Sequence, residues 1–120
     1  MPFVIHFPGD RRVAELMPGQ LRIASQQDGM DLLGEVYFSG HDRLLLHAES
    51  FDPAFFDLKT GLAGELLQKF TNYRIRLAIV GDWAAYASRS LQAFITESNR
   101  GRQICFAASA AEALQTLRTS

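Results

Sequence analysis

The sequence predicts an α/β fold built on a central, mainly parallel sheet, and three observations carry that prediction. The runs Leu44–Leu46, Leu77–Val80 and Ile104–Phe106 are apolar throughout instead of alternating, as in strands covered on both faces. The segments between them carry apolar residues at helical spacing, so helix and strand alternate as in βαβ units. Ahead of them, two short segments bounded by Pro-Gly pairs read as an antiparallel hairpin. The expectation is one domain over residues 1–120, with about five strands and about four helices.

Each element has its own signal. Phe3 to Phe7 reads as a short strand closed by the turn cluster Pro8, Gly9 and Asp10. Arg12 to Leu16 alternates polar and apolar, suits an antiparallel partner, and ends at Pro18-Gly19. Leu21 to Ile23 fits no single element. From about Asp28 the period becomes helical, with Met30, Leu33, Val36 and Tyr37 on one face and Gly40 as the stop. Arg43 to His47 is a central strand. Asp52-Pro53 is a helix-start pair, and the main helix is expected to carry Leu58, Leu62, Leu66 and Phe70 inward. Gly61 and Gly64 would lie within that helix at about 1 kcal/mol each relative to alanine. The expectation is therefore that both face a closely packed neighbour, and that Gly64→Ala lowers the melting temperature.

The second half repeats the pattern. Arg74 to Val80 reads as a strand ended by Gly81-Asp82. Leu91, Phe94, Ile95 and Ser98 mark a helix stopped by Asn99, Arg100 and Gly101. Ile104 to Ala107 is the last strand. Ser109 and Glu112 form a capping box opening a helix with Ala110, Ala113, Leu114 and Leu117 inward.

Composition limits the function classes. Twelve basic residues against thirteen acidic ones give a formal net charge of −1, so no global field holds nucleic acid. With 48% hydrophobic and 21% charged residues, the chain is neither disordered nor of low complexity. The single Cys105 allows no intrachain disulfide and reads as a buried thiol. The start of the chain lacks a leader pattern and no apolar run is long enough to span a bilayer, so a reduced cytoplasmic protein is expected.

Three blocks are distinctive: FFDLKTGLAGELLQKF at residues 55–70, LAIVGD at 77–82 and SLQAFITESNR at 90–100. Together they resemble a bacterial family catalogued as domain of unknown function 4180, over most of the chain from about Asp28 to Leu117. That resemblance implies no activity. The element order more loosely resembles the STAS fold of sulfate-transporter and anti-sigma-factor-antagonist domains, so a single STAS-like domain is the implied fold. In that family an Asp-Ser-Ser-Gly-Leu loop opens a helix and its second Ser is phosphorylated by a partner kinase. Asp57, Gly61 and Leu62 align with that loop when one extra residue is allowed, which puts Thr60 at the phosphoacceptor position. From Arg74 to about Leu114 the chain also looks like the STAS-related lipid-handling domains.

Functional groups of a parallel α/β sheet collect beyond the carboxyl ends of its strands. That rim is expected to hold His47, Glu49, Asp82 and Ser109, with Asp57, Lys59 and Thr60 near the next helix start, where free N–H donors suit an anion. The plainer reading makes Asp57 or Thr60 an ordinary helix cap, Asp82 a turn-closing residue and His47 a satisfied structural histidine. His6, His41 and His47 lack metal-ligand spacing. Phe51, Phe55 and Phe56 read as core folded over the sheet end or as a hydrophobic patch for a ligand. Arg74, Arg76, Arg100 and Arg102 read as solvated surface charge. The expected function is a non-enzymatic regulatory or protein-interaction domain switched at Thr60, without cofactor or metal, binding a protein partner or a second copy. The alternative is a module that binds a small hydrophobic ligand or lipid through Phe51, Phe55 and Phe56; a weaker third reading is an enzyme using His47, Glu49 and Asp82.

Overall fold

The structure, a computed structural model, describes residues 3–118; Met1 and Pro2, where the reading for a leader began, lie outside the described residues. Its elements are β1 (Val4–His6), β2 (Val13–Glu15), α1 (Gln26–Phe38), β3 (Arg43–His47), α2 (Leu62–Asn72), β4 (Arg76–Val80), α3 (Arg89–Arg100), β5 (Ile104–Ala107) and α4 (Ala110–Leu117). The five strands form one sheet in the order β1-β2-β3-β4-β5. The first pair is antiparallel, with Ile5 opposite Ala14, and the other three pairs are parallel. The hairpin and the mainly parallel sheet are thus as the sequence predicts.

Strands added in one direction by crossovers of one hand leave their helices on one face. Accordingly α1, α2 and α3 bury Leu32, Val36, Leu66, Phe70, Leu91 and Ile95 in one core with Leu44, Leu46, Leu77 and Ile79. The opposite face, with Val13, Leu45, Ala78 and Ala107, receives Ala113 and Leu117 of α4. Two buried guanidiniums hold α4 down by its C-terminal carbonyls: Arg43 Nε donates to Leu117 O at 2.7 Å and Arg76 Nη2 to Thr116 O at 3.3 Å. Arg76 is only 8% exposed, so it is not the solvated surface charge expected of it.

Several local expectations give way to packing. The strand β2 is buried on both faces instead of alternating, because it lies between β1 and β3. The buried face of α1 is Gly29, Leu32, Leu33 and Val36; Tyr37 is 49% exposed. Ile23 joins the sheet side through a parallel bridge to Phe51. Asp52-Pro53 opens a single 3-10 turn, Pro53–Phe56, capped by the Asp52 carboxylate, and a second such turn, Leu58–Thr60, follows before α2. Leu58 therefore precedes the main helix. Val80 and Cys105 are only partly buried, since both lie on the face where α4 is the sole covering helix; burial still pushes the Cys105 thiol up.

The glycine expectation is also corrected. Gly61 precedes α2 with φ of 75°, the left-handed region open to glycine, and a side chain at Gly64 would meet nothing within 4 Å. The close approach lies in α1, where a Cβ on Gly29 would sit 2.5 Å from both terminal methyls of Leu66. Gly64→Ala is therefore expected to stabilise the protein by about 0.5–1 kcal/mol, because alanine costs less helical entropy and fills only solvent. Gly29→Ala should lower the melting temperature instead, since overpacking costs about 1–3 kcal/mol and outweighs the propensity gain. Paired thermal melts decide it, and a Gly64→Ala protein that melts lower would contradict the packing described.

Candidate functional site

The carboxyl ends of β3 and β4 open into a cavity of about 660 Å³. Its first wall comes from the chain leaving β3: Ala48 and Glu49 in a 3-10 turn, then Phe51, Pro53 and Phe56. The second comes from the chain leaving β4, with Val80, Gly81 and Asp82 followed by Ala85 and Tyr86. Arg22 closes the rim and is paired with Asp52 at 3.0 Å, which ties the segment before α1 to the first wall. Ile23 N–H reinforces that tie by donating to Ser50 O at 2.7 Å.

The aromatic floor is continuous. Phe51, Phe55 and Phe56 pack within 4.4–5.4 Å of one another, Phe56 edge-on to both others, and Phe56 meets Trp83 at 5.2 Å and Tyr86 at 5.8 Å. Trp83 in turn lies parallel to Tyr86 at 5.4 Å and edge-on to Phe106 at 4.9 Å. Its indole N–H donates to Ile79 O and Ala107 O, pinning the turn to the ends of β4 and β5. Gln92 on α3 fixes the same turn by donating to Trp83 O at 2.7 Å and Tyr86 O at 3.0 Å. Gly81 permits the closure, because a Cβ there would sit 2.9 Å from that of Ala48. These bonds hold Tyr86 in place at the cavity.

The residues expected from sequence separate into three groups. Glu49 and Asp82 line the cavity. Phe51, Phe55 and Phe56 are each at most 5% exposed and so form no surface patch; Phe51 and Phe56 line the cavity and Phe55 lies behind them as core. Asp57, Lys59 and Thr60 are exposed and contribute nothing to its walls. Asp57 caps the turn at Lys59 N, while the Thr60 hydroxyl donates to Asp57 O at 2.9 Å and accepts from Leu62 N–H. His47 parts company with Glu49 because β3 ends at His47.

A second cluster joins three strands on the α4 face. The Glu15 carboxylate is 7% exposed and meets His6 Nε2 through one oxygen and His47 Nε2 through the other, both at 2.7 Å. An ionised carboxylate only accepts, so each Nε2 carries the hydrogen. Burial works to raise the Glu15 carboxyl, but the bonds from His47 and His6 outweigh it and hold the group below its ordinary value. His41 is elsewhere, edge-on to Phe3. No group of residues suited to a metal ion occurs among the described residues.

Sequence reading missed Glu15, Arg22, Trp83 and Tyr86. An acidic residue inside an otherwise apolar strand was the available sign for Glu15, since a buried carboxylate requires partners. Nothing local marks Arg22, which reaches the cavity from a segment of irregular structure.

Among the described residues no helix is long and apolar enough to cross a membrane. A family model described as domain of unknown function (DUF4180) matches residues 9–117. No curated protein and no solved structure matches the chain, so none of these comparisons supports the likeness to STAS domains.

Proposed function

The chain belongs to the DUF4180 family, and from that premise we propose that it is a non-enzymatic module binding a small, partly apolar molecule in the cavity beyond β3 and β4. The observation that carries this reading is the aromatic floor of Phe51, Phe56 and Tyr86, fixed by the bonds of Trp83 and Gln92 beneath a cavity of about 660 Å³. That volume lies in the range of small-ligand pockets, and the lining mixes apolar side chains with Arg22, Glu49 and Asp82, as a partly apolar, partly polar ligand would need.

Trp83 is the only tryptophan and stacks on Tyr86, so its fluorescence reports entry of a ligand. A panel of small aromatic compounds is expected to yield saturable quenching or blue shift. Ala85→Phe, which fills the mouth from an exposed position, is expected to abolish that response while leaving the thermal melt unchanged. Binding that survives Ala85→Phe would put the site elsewhere.

A second reading keeps regulation at Thr60, favoured by the exposure of its side chain. A phosphate there would add about 1.5–2 negative charges beside Asp57 and break the hydroxyl's donation to Asp57 O. Intact-mass analysis of protein from its native cells should then find one phosphate mapping to Thr60. A wholly unmodified chain removes this reading.

A further inference from the structure

We propose that the cavity selects an organic cation, a protonated amine carried on an aromatic or apolar body, with Glu49 and Asp82 as its recognition groups. The inference rests on the binding reading above and names the ligand class. Its first ground is placement. His47 and Val80 are register partners at the ends of β3 and β4, and Glu49 and Asp82 each follow two residues later. Adjacent strands lie about 4.8 Å apart, so the two acidic residues leave the sheet side by side and enter one cavity.

The second ground is that both are uncommitted. Neither side chain has a hydrogen-bond or ion-pair partner among the described residues, and Asp82 does not cap the turn it precedes. The one cation in the lining, Arg22, is spent on Asp52 at 3.0 Å. With Asp52 counted against Arg22, Glu49 and Asp82 leave the cavity with a net negative charge. The third ground is the floor. Phe56 is 5% exposed and packs edge-on against Tyr86 at 5.8 Å, whereas Tyr86, which is only partly buried, lines the cavity with the two carboxylates and offers π surface to a cation held there. An anionic ligand would meet repulsion from the same pair, which gives the site its discrimination. The Ser50 hydroxyl, between Glu49 and Phe51 in the chain, is buried without a partner, an unmet polar group next to the lining.

The test uses the full chain, Trp83 fluorescence and three probes of matched length: 3-phenylpropylamine, 3-phenylpropanol and 3-phenylpropionate. The amine is expected to bind at least about tenfold more tightly than the alcohol, with the carboxylate weakest. Glu49→Gln and Asp82→Asn should each weaken the amine about tenfold, leave the alcohol unchanged and reduce the salt dependence of amine binding. Both residues are exposed, so neither variant should affect folding. If the alcohol or the carboxylate binds as tightly as the amine, or if the variants weaken all probes alike, the cation assignment is overturned and the binding reading stands. If none of the three binds, both are overturned for ligands of this size.

Discussion

Trp83→Ala is expected to remove about 3–5 kcal/mol of stability, read by urea unfolding followed with circular dichroism. The side chain is 7% exposed and touches Phe56, Tyr86 and Phe106, so its loss opens a hole at the junction of the two cavity walls. It also withdraws the donor shared by Ile79 O and Ala107 O, where the ends of β4 and β5 are tied. Trp83→Phe separates the two effects. It keeps most of the ring contact and loses only the N–H, so a cost of about 1–2 kcal/mol is expected. The proposed binding should weaken as well, because Tyr86 is positioned through the same turn. A loss below about 1 kcal/mol for the alanine variant would mean that the turn is held by other contacts and that the cavity wall is not organised around the indole.

The second large effect concerns Glu15. Its carboxylate is the only link between His6 of β1 and His47 of β3 described here, and it is almost wholly buried. Glu15→Ala deletes both charged hydrogen bonds and leaves two imidazoles without their acceptor, at about 2–4 kcal/mol. The same group sets an acid dependence. Burial works to raise it, but hydrogen bonds from His47 and His6 hold it below its ordinary 4.5, so on acidification the unfolded chain takes up this proton before the folded one. The stabilisation is therefore complete above pH 4.5 and is lost as pH falls through the lower folded value. Stability measured from about pH 6 down to about pH 3 should fall more steeply for the wild-type chain than for Glu15→Ala. Parallel profiles would show that the carboxylate is not held below its ordinary value.

The candidate site was partly legible. Glu49 and Asp82 were found by the rule that functional groups gather beyond the carboxyl ends of parallel strands, which follows from topology once the strands are known. The aromatic cluster was visible as three phenylalanines in six residues, though not which of them face the cavity. Trp83, Tyr86 and Arg22 were not legible, because their role depends on turns whose path no periodicity encodes.

The sequence by itself determined the order of helices and strands, the opening hairpin and the parallel sheet. Short continuous apolar runs bounded by turn residues read as strands covered on both sides, and those turn residues mark where each run stops. Local chemistry also settled Ser109 as the cap of α4, whose hydroxyl accepts from Glu112 N–H. Only the tertiary structure decided where α2 begins, which glycine is crowded, and that β2 is interior. An i,i+4 pattern running through Leu58 does not register that Gly61 turns the chain to a φ of 75° before the helix can start. Crowding at Gly29 depends on Leu66, thirty-seven residues away in the chain. The pairing of Glu15 with His6 and His47 likewise exists only because the sheet order sets β2 between their strands. Contacts between residues distant in the chain are fixed by how the elements stack, and one-dimensional patterns carry the period of an element but not the identity of its neighbour.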